Sequence, residues 1–144
     1  MTLQLKRLPV FVALVTLIGV SLTWADDSEI RLRARLAGPP INGLDPSGSA
    51  EFRQRQTQRR FSAEVEDVNL PQGTVLNVFV DPASVCTGTL LGTITVGPPP
   101  VRGGDLNLDT RNGDSIPRMN AGNIVSVCTA GGRRVLSGSL RRDR

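Results

Sequence analysis

The chain has 144 residues, and its 17 Lys and Arg residues against 13 Asp and Glu give a formal charge of +4 at pH 7. It contains no histidine, and its single lysine is Lys6. The chain therefore lacks the side chain that most often serves as a general base and as the imidazole ligand of zinc, and it offers a single lysine as a Schiff-base nucleophile. The composition indicates a non-enzymatic protein without a cofactor, of a length that forms one domain.

The amino-terminal residues have the pattern of a secretory signal peptide. Lys6 and Arg7 precede an apolar run over 8–22, and Thr23 and Ala25 supply small residues at the two positions that signal peptidase reads. The run is interrupted by polar residues and is shorter than the roughly 20 apolar residues of a membrane span. We predict cleavage after Ala25, with a retained membrane anchor as the alternative.

Cleavage divides the sequence into a signal peptide, 1–25, and a single domain, 26–144. That domain has 15 arginines against 13 acidic residues, and its only aromatic residues are Phe52, Phe61 and Phe79, all at predicted core positions. A nearly neutral chain without exposed aromatic residues does not favour nucleic acid. We expect a bacterial protein that is secreted or periplasmic, that contacts the membrane only before cleavage, and whose partner is a protein or an envelope component. The oligomeric state stays open.

The remaining sequence predicts β-strands throughout. Apolar residues recur at every second position, and Gly, Pro, Asn and Asp interrupt the pattern every eight to twelve residues. This pattern predicts an all-β fold, namely an antiparallel β-sandwich of about seven or eight strands that is immunoglobulin-like, with a small β-barrel as the alternative. The predicted strands span 29–37, 48–55, 59–68, 74–81, 88–96, 104–110, 123–129 and 134–141.

The first predicted strand alternates apolar and basic residues in the stretch EIRLRARLAG. Successive side chains of a strand point to opposite faces, so Arg31, Arg33 and Arg35 are expected on the solvent side, with Ile30, Leu32, Ala34 and Leu36 in the core. Two interpretations follow. The arginines are neutralised across the sheet by glutamates of the next strands, such as Glu51, Glu64 and Glu66. Alternatively, they bind an acidic glycan, a lipid headgroup or a protein.

The segment LPQGTVLNV at 70–78 is similar to MNAGNIVSV at 119–127. The alignment matches Gly73 with Gly122 and places apolar residues of the two strands at equivalent positions. It predicts two equivalent units of turn, glycine and strand. Duplication and convergence explain the similarity equally well.

The segment DLNLDTRNGDS at 105–115 begins like a calcium-binding loop. Asp105, Asn107 and Asp109 occupy the first, third and fifth positions. Thr110 then replaces the turn glycine and Ile116 the bidentate glutamate. We therefore favour a strand that leads into a turn, with weak calcium binding as the alternative.

Cys86 and Cys128 are the only cysteines. In an exported chain they are expected to form a disulfide, which would close a loop of about 43 residues and contribute roughly 4 kcal/mol by chain entropy; two buried thiols are the alternative. Cys128 is on the outer side of its strand if Val125 and Val127 face the core. An outward Cys128 can still form the disulfide if the bond lies on the outer surface of the sheet, or if the strand has a bulge near the turn at 129–132.

The stretches LRARLAG, DPSGSAEF and FSAEVEDV, within residues 31–68, resemble the opening of CHRD-type secreted β-sandwich modules. The resemblance implies a secreted, non-catalytic sandwich. The histidine-containing stretch typical of those modules is absent, and no functional residue is carried over. The residues that carry the resemblance are Leu32, Ala34, Leu36, Gly38, Pro46, Gly48, Ala50 and Phe52.

Three functions follow from these patterns, in order of preference. The first is a small exported non-enzymatic module that mediates protein interactions in the envelope or outside the cell. The second is recognition of an acidic glycan or Ca²⁺ through the arginine face or the 105–115 loop. The third is an enzyme that uses Glu64 and Glu66, which lie two residues apart on one predicted face, as paired carboxylates.

Overall fold

The computed structural model describes residues 28–143. It contains nine strands in one antiparallel sheet, which confirms the all-β prediction. The strands are β1 (Ile30–Ala37), β2 (Ser47–Arg55), β3 (Gln58–Glu66), β4 (Val75–Asp81), β5 (Thr89–Thr95), β6 (Gly104–Asp109), β7 (Ile124–Thr129), β8 (Arg134–Ser139) and β9 (Arg141–Arg142).

Helix is nearly absent from residues 28–143. The helical element there is one 3-10 turn at Thr110–Asn112. No helix in this part of the chain has the length and apolar character needed to cross a membrane. The predicted signal peptide, 1–25, lies outside the described residues.

Each predicted strand overlaps an observed one, and the bounds agree within two residues. The predicted strand 134–141 divides into β8 and β9. The division occurs because Leu140 is fully buried and pairs with the turn before β7, where its N–H donates to the carbonyl of Asn123 at 2.8 Å. β9 then pairs with β1 instead of β7.

The order of strands in the sheet is β5-β4-β7-β8-β1-β2-β3-β6, and β9 pairs with β1. Its two edges approach each other, since the Gly97 N–H donates to the carbonyl of Gly103 at 2.8 Å. A Cβ built on Gly104 would lie 2.6 Å from the carbonyl oxygen of Thr95, so that glycine permits the approach. The sheet is therefore nearly closed, in the manner of the small-barrel alternative.

The core lies inside this curled sheet. Phe52 on β2 is opposite Phe61 on β3, and both are almost fully buried. Ile116 and Met119, from the segment before β7, are also buried against this core. Apolar residues of all eight main strands contribute to or pack against one contiguous cluster.

Two residues predicted to face the core do not. Ile30 is 41% exposed at the first position of β1. Phe79 is half-buried on the outer surface of β4, because its neighbours Val78 and Val80 occupy the inward positions of that strand. The prediction that Phe79 faces the core is therefore wrong.

The internal similarity corresponds to a pseudo-two-fold relation in the sheet. β4 and β7 are antiparallel neighbours, and the aligned residues Val78 and Val127 are directly opposite each other. Gly73 and Gly122 each precede the strand with a positive φ, 88° and 94°. That conformation is easily adopted only by glycine.

Candidate functional site

The outer surface of the sheet has two chemically different parts. The charged face comprises outward residues of β1, β2, β3 and β6: Arg31, Arg33, Arg35, Ser49, Glu51, Arg53, Arg60, Ser62, Glu64, Asp105, Asn107 and Asp109. The weakly charged face comprises outward residues of β4, β5, β7 and β8: Val75, Asn77, Phe79, Asp81, Leu90, Thr93, Thr95, Ile124, Ser126, Cys128, Arg134, Ser137 and Ser139. The predicted ligand-binding and metal residues all lie on the charged face.

Two of the three predicted binding arginines form ion pairs. Arg33 Nε lies 2.8 Å from Glu51 Oε2, its cross-strand neighbour, and 3.2 Å from Asp143 Oδ2. Arg31 is 3.7 Å from the same Asp143 carboxylate. Arg53 also pairs with Glu51. The first strand is thus neutralised in part by Glu51, as predicted, and in part by the carboxyl-terminal segment.

These contacts set the ionisation of Glu51. Partial burial raises the pKa of its carboxyl, but hydrogen bonds from Arg33 and Arg53, together with their charges, outweigh burial and lower the pKa overall. Glu51 therefore stays ionised between the two guanidinium groups.

Glu64 and Glu66 do not neutralise the arginines, because β2 separates their strand from β1. Arg35 is opposite Ser49, and Glu64 is opposite Ser49 on one side and Asp105 on the other. Within residues 28–143, none of Arg35, Glu64 and Glu66 takes part in an ion pair. The register thus collects negative charge at one corner of the charged face.

A shallow depression of about 660 Å³ lies on the charged face. Of the three predicted binding arginines only Arg33 lines it, and the other lining charges are carboxylates, among them Glu51, Glu64, Glu66 and Asp105. The arginines of β1 are spread along one strand, with about 7 Å between successive ones. They therefore do not converge on one anion.

The proposed calcium ligands lie on β6, a strand, and not in a binding loop. Asp105 accepts a hydrogen bond from Asn107 Nδ2 at 2.5 Å. Asp109 accepts from Arg60 Nε at 3.0 Å and from the backbone N–H of Arg111 at 2.9 Å. No group of three or more His, Cys, Asp or Glu residues in the described chain is placed to hold a metal ion. Asp105, Asn107 and Asp109 lie at alternate positions of β6 and share its outer face, and calcium binding by these three residues stays a prediction.

Asp109 has a structural role at the end of its strand. Its carboxylate caps the 3-10 turn at Thr110–Asn112. The backbone hydrogen bond from Arg111 lowers the pKa of Asp109, and hydrogen bonds from Arg60 and Gln58 lower it further against a smaller effect of burial. The acid is held ionised at the end of β6.

The predicted disulfide is present on the weakly charged face. Cys86 and Cys128 are bonded, with their Cα atoms 5.8 Å apart. Cys128 lies on the outer surface of β7 opposite Asn77, while Val125 and Val127 face the core. We predicted either a bond on the outer surface or a bulge near the turn at 129–132. Both are present, since β7 also has a register shift against β8 between Val127 and Cys128.

The disulfide holds the segment 82–88, which we name the latch loop, against the outer surface of β7. The backbone N–H of Cys86 donates to Ser126 Oγ at 2.8 Å. Ser126 and Cys128 are fully buried although they point away from the core. The latch loop therefore covers this part of the sheet.

Exposed apolar residues lie in the latch loop and beside it. Val85 in the loop is 40% exposed and Leu90 on β5 is 54% exposed. Leu90 is opposite Phe79, which is opposite the covered Ser126, so the apolar residues of β4 and β5 lie side by side next to the part of β7 that the loop covers. We did not predict this patch. The adjacent leucines Leu90 and Leu91 were its signal, because successive side chains of a strand point to opposite faces, so one of the two has to face outward; Leu91 is buried and Leu90 is exposed.

Comparison of the chain with protein-family models and with curated proteins finds no match. The resemblance to CHRD-type modules stays a prediction. The functional argument depends on the geometry and chemistry of the two outer faces.

Proposed function

We propose that this protein is a small exported, non-enzymatic β-domain that binds another protein through the weakly charged face. The observation that carries this proposal is the apolar patch of Phe79, Val85 and Leu90 in a surface of mostly uncharged residues. Interface centres are depleted in charge and enriched in aromatic and apolar side chains. An exposed apolar patch bordered by polar residues is typical of a protein-binding surface.

The disulfide supports export, because disulfides persist in oxidising compartments such as the periplasm and the extracellular space. The signal-peptide pattern supports the same location. A bacterial protein that is periplasmic or secreted would meet partners in the envelope or outside the cell.

The charged face suits a ligand less well. An acidic glycan would have to compete with Glu51 and Asp143 for Arg33 and with Asp143 for Arg31. Glu64 and Glu66, the candidate catalytic pair, are exposed neighbours on an open strand surface, which does not exclude water from a reacting group.

The proposal is tested by photo-crosslinking in the exporting cell. A photoreactive residue at Leu90 should yield a discrete crosslinked protein, whereas the same residue at Glu64 on the charged face serves as the matched control. Leu90→Arg should abolish binding of the identified partner and leave the melting temperature nearly unchanged, since Leu90 is exposed. Crosslinks from position 64 alone, or a melting temperature raised by heparin-like glycans or Ca²⁺, would favour the competing function.

A further inference from the structure

We propose that the latch loop, 82–88, is a redox-releasable cover. Reduction of the Cys86–Cys128 bond by a dithiol reductant would detach the loop from β7 while the sheet stays folded. This goes beyond the proposed function, since it assigns the weakly charged face a covered and an uncovered form.

The disulfide is not needed to hold β4 beside β7. β4 and β7 form a continuous ladder from Leu76 opposite Thr129 to Asp81 opposite Ile124. Cys86 follows the end of β4 by only five residues, so in the folded protein the bond holds a short excursion of the chain to the neighbouring strand. Neither cysteine belongs to the contiguous core cluster.

Few other contacts hold the latch loop to the sheet. The hydrogen bond from the Cys86 N–H to Ser126 Oγ reaches across to β7. The Asp81 carboxylate accepts from the backbone N–H groups of Ala83 and Ser84 at 2.9 and 2.7 Å. Those two bonds shape the start of the loop and do not attach it to β7. The residues of the loop before Cys86 are exposed.

The backbone of Cys86 also favours release. Its φ of 56° lies in the left-handed region, which is unfavourable for a residue with a Cβ. The disulfide and the Ser126 hydrogen bond keep it there. At the other end of the loop Gly88 has a φ of 92°, and its lack of a side chain lets it pack against Asp81 and the backbone of Val80.

The exposure of the two cysteines decides which sulfur atom the reductant attacks. Cys86 is partly exposed, whereas Cys128 is fully buried. A thiolate of the reductant attacks Sγ of Cys86, the S–S bond breaks, and Cys128 leaves as a thiolate that takes a proton from solvent. The second thiol of the reductant then loses its proton to solvent and attacks the mixed disulfide. Cys86 is released as a thiolate that is protonated, and the reductant becomes a disulfide after giving up two electrons.

Release changes the surface that a partner would meet. Ser126 and Cys128 point outward from β7, so core residues do not shield them from solvent once the loop has moved away. They become accessible beside Phe79 and Leu90, and the hydroxyl of Ser126 loses its partner in the loop. The apolar patch and the newly exposed polar groups then form one surface.

Hydrogen exchange followed by mass spectrometry tests this proposal on the processed protein, with and without dithiothreitol. Reduction should raise exchange in peptides covering 82–88 by about tenfold or more and leave them unprotected, while peptides of β1, β2 and β3 remain strongly protected relative to the unfolded chain. Alkylation should add two groups per chain and confirm that both sulfurs were freed. The Cys86→Ser/Cys128→Ser double variant should show the same open loop without reductant and no further change with it, which controls for the reductant.

Two outcomes would overturn the proposal. Unchanged exchange at 82–88 in the reduced protein would show that other contacts hold the loop. Exchange in β1, β2 and β3 as fast as in the unfolded chain would show that the bond maintains the whole sheet. The double variant must show the same pattern of exchange in the loop and in the sheet as the reduced protein.

Discussion

Gly38 is the position where the structure leaves least room for a side chain. It follows β1 where that strand meets β8, and the two strands share one register pair, Ala37 with Ser137. A Cβ on Gly38 would lie 1.8 Å from the carbonyl oxygen of Val135, against the roughly 3.4 Å of ordinary contact. The obstacle is backbone, so no rotation of a side chain relieves it.

Replacing Gly38 by Ala therefore requires β1 and β8 to separate. Val135 and Leu136 are buried in the core, so β8 does not shift without disturbing their packing. Overpacking typically costs 1–3 kcal/mol, and a clash with fixed backbone lies at the upper end, so we expect a loss of about 3 kcal/mol. For a domain of this size that is a fall of roughly 10 °C in Tm.

Thermal unfolding followed by circular dichroism measures the effect, and Gly131→Ala is the matched control. The nearest atom to a Cβ on Gly131 is 3.9 Å away, and neither glycine has a positive φ. Gly131→Ala is therefore expected to change the stability by less than about 1 kcal/mol. A Gly38→Ala variant that melts within about 2 °C of the parent would refute the close approach of β1 and β8.

Three further predictions concern the bond, the core and acid stability. The Cys86→Ser/Cys128→Ser variant should lose up to about 4 kcal/mol in denaturant titration, since it frees a long loop in the unfolded chain. Phe52→Ala should lose about 3–5 kcal/mol, but Phe79→Ala only about 1, because Phe52 is fully buried and Phe79 lies on the outer surface. Folding lowers the pKa of Glu51, so its contribution is present at neutral pH and is lost as the pH falls through that pKa; Glu51→Gln should therefore lower stability at pH 7 and flatten its dependence on acid.

Each of these expectations has an outcome that contradicts it. Equal stability of the oxidised and cysteine-free chains would contradict the entropic account of the bond. Equal losses of stability in the two phenylalanine variants would mean that Phe79 is buried in the core like Phe52. A parent protein and a Glu51→Gln variant with parallel acid-unfolding curves would mean that the guanidinium contacts do not stabilise the folded state.

The strands and the disulfide could be predicted because each follows from local rules. Alternation placed Leu32, Ala34 and Leu36 in the core, and the break at Gly73 and Gly122 marked the start of two equivalent strands. Two cysteines allow only one pair.

The candidate surfaces could be predicted only in part. Period-two alternation says which side chains share a face, but it does not say which strands are neighbours. Glu51 lies beside Arg33 because β2 is next to β1, whereas Glu64 is one strand too far and meets Asp105 instead. Ser126 is covered because the latch loop folds back across the sheet, and no local sequence pattern predicts that contact.

The sequence by itself determined that the chain forms antiparallel strands, because alternating side chains and turn residues act over a few neighbouring positions. Only the tertiary structure decided that the strands form one nearly closed sheet, with charge collected on one outer face and an apolar patch beside a latched loop on the other. Those features depend on strand order and register, which are set by how the whole core packs and not by any single segment.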